Sequence, residues 1–289
     1  MSYAIKAYVQ YSRRMIALDA RSAKAFSAKD YERYLLSCPQ FSEADIDKLR
    51  DFIARAGQLG QDIDWKFTSY YAHNPETRVA RAQFDLVNTP RGGWVQRMSE
   101  NAGNVLHHSR AMARFIEHYD DPDLPQDRSH MMALAEVHDM AEAIITDLTP
   151  KDKQKHNISK ELKALLEAMA IAIIYEAPSL TREKELIEEY ESKSSEAAKM
   201  VSDIDKCYAV LEAAHQKINP NVRRKQPLGE EIFESVTDGR LLKTPMGERL
   251  LAKIRQEFDA LNAAQADASP STPVIDLFLQ SQQSPQIQR

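Results

Sequence analysis

Glycine is scarce, with only 8 in a chain of 289 residues. Neither G-x-G-x-x-G nor G-x-x-x-x-G-K-[ST] occurs, which argues against folds that cradle phosphate in glycine-rich loops. Cysteine is scarcer still. Cys38 and Cys207 stand far apart with no C-x-x-C or finger-like spacing, so a thiolate metal site and a disulfide scaffold are both disfavoured and a reducing compartment is expected. No apolar run approaches the roughly 18–20 residues of a membrane span; the longest lies near Met169–Tyr175. Met1–Arg14 already carries Lys6, Arg13 and Arg14 and lacks an apolar stretch followed by a small-residue cleavage site. No secretory signal is expected there, and a cytoplasmic protein with no membrane partner is expected. A basic surplus is missing too. Lys and Arg number 38 against 43 Asp and Glu, a net charge of −5, which argues against nucleic acid as a partner.

What is present is helix-forming sequence. Ala, Leu, Glu, Lys, Arg and Met dominate, apolar residues recur at three- and four-residue spacings, and β alternation is absent, so the expected fold class is all-α. One helix is expected from Ser42 to about Gly57, with Ile46, Leu49, Phe52 and Ile53 on one stripe. Asn74-Pro75 and Thr89-Pro90 are breaks. Further helices are expected at 105–119, at 128–145 closed by Thr149-Pro150, at 159–177, at 195–216 and at 246–261. From Gln265 the chain is rich in Gln, Ser, Pro and Ala, which predicts a disordered tail over 265–289. Val274, Ile275, Leu277, Phe278 and Leu279 interrupt it, and a short segment packed on the protein's own surface is the favoured reading of that patch. Arg223-Arg224-Lys225 reads as a solvated basic loop.

Three places can carry chemistry: His107-His108, His138-Asp139 and Asp203-Ile204-Asp205. Imidazole nitrogens and carboxylate oxygens from three helices suit a divalent transition metal in a bundle core. Helical geometry restricts the donors. Residues i and i+4 share a face, which places Glu142 beside His138. Asp203 and Asp205 point nearly opposite ways, so only one faces the site. His107 and His108 lie about 100° apart on a 3.6-residue helix. Spacing alone leaves both choices open, and a histidine in a helical core is more often a satisfied polar group than a ligand.

The motifs in series are more specific. Arg91-Gly92-Gly93-Trp94, Asn104-Val105-Leu106-His107-His108, His138-Asp139-Met140-Ala141-Glu142, Ile145-Thr146-Asp147-Leu148-Thr149-Pro150, Glu189-Tyr190-Glu191 and Val201-Ser202-Asp203-Ile204-Asp205-Lys206 follow one another in order. With them the stretch from Trp94 to about Gln216 resembles the HD-domain phosphohydrolases, in the branch of the YfbR-type 5′-deoxynucleotidases and HD domain-containing protein 2. That resemblance implies an HD-domain helical bundle at 79–218, flanked by a helical N-terminal extension (1–78), a C-terminal helical extension (219–264) and the tail (265–289). It implies His108, His138, Asp139 and Asp205 as ligands of one divalent ion (Mn, Co, Fe, Ni or Zn). It implies Glu142 as the residue that positions the attacking water, Asp147 near the sugar and leaving group, and Arg91, Trp94 and Arg97 as substrate-binding residues.

The activity implied is metal-dependent removal of phosphate from nucleoside 5′-monophosphates by attack of an activated water. A nucleoside triphosphate or phosphodiester hydrolase on the same site is one alternative, and a non-catalytic nucleotide-binding or scaffolding protein is another. A nucleotide is the implied partner, and apolar helical faces permit a homodimer. The chain departs from the family pattern at three places: Gly103 replaces a glutamate, His107 an acidic residue and Thr146 a glycine.

Overall fold

The structure is a computed structural model that describes residues 28–57, 63–92, 103–218, 242–263 and 272–283. Met1–Arg14, Trp94, Arg97 and Arg223-Arg224-Lys225 lie outside the described residues. The described elements are helical, with no β-strand among them: α1 (Ala28–Ser37), α2 (Glu43–Gly57), α3 (Ile63–Tyr71), α4 (Pro75–Asn88), α5 (Val105–His118), α6 (Ser129–Val137), α7 (Glu142–Ile145), α8 (Pro150–Lys155), α9 (Lys160–Ile174), α10 (Thr181–Ser192), α11 (Glu196–Ile218), α12 (Pro245–Ala263) and α13 (Pro273–Gln282). A single 3₁₀ turn, Pro178–Leu180, precedes α10. The expected all-α fold is what forms. No described helix is long and apolar enough to cross a membrane.

Local chemistry sets the helix ends where the sequence places them. Asn74 caps α4 by accepting from the Glu76 amide, with Pro75 at the first turn. Ser159 caps α9 by accepting from the Leu162 amide. Thr149 and Asp152 form a reciprocal capping box on α8, so the Thr-Pro pair ending the fourth motif is a helix start.

The chain divides into two compact units. One unit is Met1–Gly92 with Asp139–Lys184; the other is Gly93–His138 with Glu185–Arg289. Residues within 31–67 and within 246–278 each contribute to a hydrophobic core. In the first unit Tyr31, Leu35, Ile46, Leu49, Phe52 and Phe67 are buried together with Leu166, Met169 and Ile173. The Tyr34 hydroxyl donates to the Ala172 carbonyl at 2.8 Å. Arg78, only 2% exposed, ties helix ends together in this unit. Its guanidinium donates to the carbonyls of Tyr71 (2.8 Å), His73 (3.0 Å) and Ile173 (2.8 Å) and pairs with Glu176. These are C-terminal carbonyls that would otherwise be orphaned.

The second unit buries Met112, Phe115 and Ile116 of α5, Leu134 of α6, Ile204, Tyr208 and Leu211 of α11, Leu250 and Ile254 of α12, and Ile275 and Phe278 of α13 in one core. Within the tail expected to be disordered, residues 273–282 are helical, in keeping with the favoured reading of the apolar patch as a segment packed on the protein's own surface. The apolar patch folds as α13, and its first amides, those of Val274 and Ile275, donate to the buried Glu257 carboxylate at 2.9–3.1 Å. Burial of Ile275 and Phe278 contributes about 1.5–3 kcal/mol each, which offsets the entropy of ordering a short helix.

The expected single helix over 128–145 is interrupted. Helix α6 stops at Val137, residues 138–141 form a turn, and α7 resumes at Glu142. The turn tightens because the amides of Glu142, Ala143 and Ile144 donate to the carbonyls three residues back, at 3.0, 3.3 and 3.0 Å.

Helix α7 ends at Thr146, whose φ of 65° and ψ of 165° belong to glycine's territory. A β-branched residue there is strained, and the family pattern has glycine at this position. Thr146→Gly is expected to stabilise the protein by about 1 kcal/mol, the relief of strain outweighing the extra freedom of glycine in the unfolded chain. Urea unfolding of the two forms measures this, and a less stable glycine variant would refute it.

Candidate metal centre

The second unit brings three of the expected ligands together. Helix α5 starts at Asn104, whose side-chain oxygen accepts from the His107 amide at 2.8 Å. Gly103 precedes it with φ of +71°, a left-handed conformation that explains a glycine where the family pattern has glutamate. One turn inside, His108 is 1% exposed and faces the core, while the neighbouring His107 turns to α13, its Nε2 2.7 Å from Gln282 Oε1. Burial holds the His107 imidazole below its ordinary pKa. The structure thus separates two histidines that a helical wheel alone cannot rank.

His108 Nε2 lies 2.9 Å from Asp205 Oδ1, and His138 Nε2 lies 3.8 Å from the same oxygen. The three donor atoms lie within 4.8 Å of one another. His138 Nδ1 donates to the Ala135 carbonyl at 2.8 Å, which fixes the tautomer and leaves the Nε2 lone pair toward Asp205. Aromatic rings hold the pair in place. Tyr190 lies 5.2 Å from the His138 ring and Tyr208 5.4 Å edge-on to the His108 ring. Glu212 Oε1 stands 3.8 Å from His108 Nδ1.

Spacings of 2.9 and 3.8 Å are those of donors each about 2.0–2.2 Å from one ion. Two neutral imidazoles and a carboxylate form a donor set suited to a divalent cation. The residues present therefore fit the metal that the family implies.

Asp203 has a different task. It is fully buried, and its Oδ2 accepts from the amides of Lys243 and Thr244 at 2.8 Å each and from Thr244 Oγ1 at 2.9 Å. Thr244 Oγ1 in turn accepts from the Gly247 amide at 3.0 Å. A β-carbon on Gly247 would come within 2.7 Å of the Asp203 side chain, so glycine is required there. Asp203 clamps the start of α12, and Asp205 faces the histidines.

The remaining expected site residues that are described lie in the first unit. Asp139 Oδ2 is 3.6 Å from Arg91 Nη1. Glu142 is 8% exposed, and its Oε2 has no hydrogen-bond partner among the described residues. Burial first, then the charges of Asp139 and Asp147, hold its carboxyl well above the usual carboxylate range, while Arg91 and Lys163 oppose that. Asp147 Oδ2 accepts from the Gly92 amide at 2.7 Å. A β-carbon on Gly92 would meet Asp147 O and Thr149 Cγ2, both at 2.8 Å. The sequence reading missed this glycine, although a Gly-Gly pair in so glycine-poor a chain is the signal that marks it.

The family model for the HD domain matches residues 85–235. This chain belongs to the HD-domain family. The HD-domain chain is 34% identical over 198 residues to the 5′-deoxynucleotidase HDDC2 of Mus musculus, covering 68% of this chain and 94% of that protein. It is 32% identical over 179 residues to the 5′-deoxynucleotidase hdd1 of Schizosaccharomyces pombe, covering 60% and 84% respectively. A solved structure, a conserved hypothetical protein from Pyrococcus furiosus, aligns over 62% of this HD-domain chain and 98% of its own with a TM-score of 0.49 and 24% identity. Membership in the family agrees with the motif series and with the gathering of His108, His138 and Asp205.

Proposed function

We propose that this HD-domain protein is a metal-dependent phosphohydrolase that removes phosphate from nucleoside 5′-monophosphates. The observation that carries the reading is the convergence of His108, His138 and Asp205 on one point, with the His138 tautomer set by the Ala135 carbonyl. The names of the relatives, 5′-deoxynucleotidases, support a deoxynucleoside monophosphate as substrate.

His108, His138 and Asp205 would hold the ion, with Asp139 as the fourth ligand on the strength of the resemblance. Mn, Co, Fe, Ni and Zn all accept such donors. When bound, the ion supplies Lewis acidity that makes a water nucleophile available near neutral pH and offsets phosphate charge. Glu142 is assigned to accept the proton of that water at Oε2, an atom that gives no acceptor capacity to another group described. An elevated pKa suits a base that works near neutrality. Asp147, braced by the Gly92 amide, is assigned to the sugar and leaving-group side. Arg91, Trp94 and Arg97 are assigned to the substrate. Phosphoryl transfer asks little covalent chemistry of a protein, so these are positioning and charge roles.

The test is orthophosphate release from ribo- and deoxyribonucleoside 5′-monophosphates with each of the five metals. Glu142→Gln is expected to lower turnover by about 10²–10⁴-fold while the metal content stays unchanged. Absence of turnover with every metal, or full activity in Glu142→Gln, overturns the reading.

A further inference from the structure

We propose that Lys193 binds the phosphate group of the substrate beside the His108–His138–Asp205 cluster, an inference that rests on the phosphohydrolase reading above. Helix α10 ends at Ser192, and Lys193 follows with φ of 51°. Helices commonly end in such a left-handed residue, but it is usually glycine, because a β-carbon costs roughly 1–2 kcal/mol there. The Lys193 amide closes the turn on the Tyr190 carbonyl at 3.2 Å. The turn folds the side chain back, so that Nζ lies 3.0 Å from the centroid of the Tyr190 ring. That same ring is 5.2 Å from the ring of His138. The ammonium and the His138 ring thus neighbour one and the same aromatic ring, and the Asp205 charge acts on the ammonium.

Among the described residues Lys199 pairs with Glu196, Lys163 with Glu167 and Lys206 with Asp203, whereas Lys193 makes no ion pair. Burial pushes its pKa down to about 8, the charges of Lys243 and Lys206 push the same way, and Glu191 and Asp205 oppose them. Lys243 and Lys206 thus add positive charge to its surroundings in a protein whose net charge is −5. Such a half-buried cation without a direct ion pair among the described residues is complementary to a phosphate monoester dianion.

A purely structural role, packing on Tyr190 beneath His138, makes a different prediction, and Lys193→Gly separates the two. Glycine suits the backbone, so the melting temperature is expected to stay level or rise, and metal content is expected to stay at the wild-type value. Orthophosphate affinity of the metal-loaded protein, read by calorimetry, is expected to fall about tenfold or more, the loss of one charge-assisted contact. KM for a nucleoside monophosphate is expected to rise by a similar factor, with kcat changed less, and Lys193→Arg is expected to recover part of both. If wild type hydrolyses nucleotides and Lys193→Gly leaves KM and orthophosphate affinity unchanged, Lys193 has no such role and the phosphohydrolase reading stands. If wild type hydrolyses none but the variant still loses orthophosphate affinity, the anion site stands and the hydrolase reading falls. Loss of metal or of thermal stability in Lys193→Gly, or undetectable orthophosphate binding by wild type with an unmoved KM, overturns the proposal.

Discussion

His138→Ala is expected to release the metal, with affinity falling about a hundredfold or more and phosphate release falling with it. Changing a residue that merely orients a ligand costs 10–100-fold in metal affinity, so deleting a ligand costs at least as much. The imidazole is held by the Ala135 carbonyl on one nitrogen and flanked by Tyr190, and Asp205 lies 3.8 Å from the other nitrogen. His107→Ala is the matched control. His107 engages Gln282 rather than the cluster, so this variant should keep its metal. Elemental analysis of the purified proteins reads both results. A His138→Ala protein with wild-type metal content, or a His107→Ala protein without metal, would refute the assignment.

Asp203→Ala is expected to give the largest loss of stability, about 3–5 kcal/mol, comparable to breaking a buried charged network. The substitution would strand the amides of Lys243 and Thr244 and the hydroxyl of Thr244, all bonded to one buried oxygen. Lys206 Nζ, 3.4 Å from Asp203 Oδ1, would lose its carboxylate as well. Asp203→Asn keeps one acceptor oxygen and should cost markedly less. Thermal melts check both, with a drop of roughly 10 °C for alanine. Equal melting temperatures for wild type and alanine would show that the clamp carries no free energy.

The contrast between Asp203 and Asp205 also shows how far the sequence could be read. Two-residue spacing on a helix predicted that one carboxylate faces the site and one does not, and the structure agrees. Spacing could not say which, since the partners of Asp203 come from 40 residues downstream, and only the motif series pointed to Asp205 and to His108. His107 and His108 present the same limit, resolved by Gln282 in a segment whose Gln, Ser and Pro content pointed to disorder. The apolar residues of that segment were visible, but the buried Glu257 that caps the helix belongs to a separate stretch of chain. The break at 138–141 was hidden for a local reason. Residues 128–145 are strong helix formers, and only the three-residue hydrogen-bond pattern and the backbone of Thr146 interrupt them. Lys193 carried no sequence signal, because a left-handed lysine looks like any other lysine in a charged helix.

Each of the two units is assembled from two separate stretches of chain, and this has a consequence for biosynthesis. A ribosome emits the polypeptide in one direction, so the unit begun by the first 92 residues stays incomplete until Lys184 has emerged. The other unit waits for the final helix at 273–282. Half-made cores would expose apolar helix faces throughout translation, which is where chaperone attention and nascent-chain aggregation concentrate.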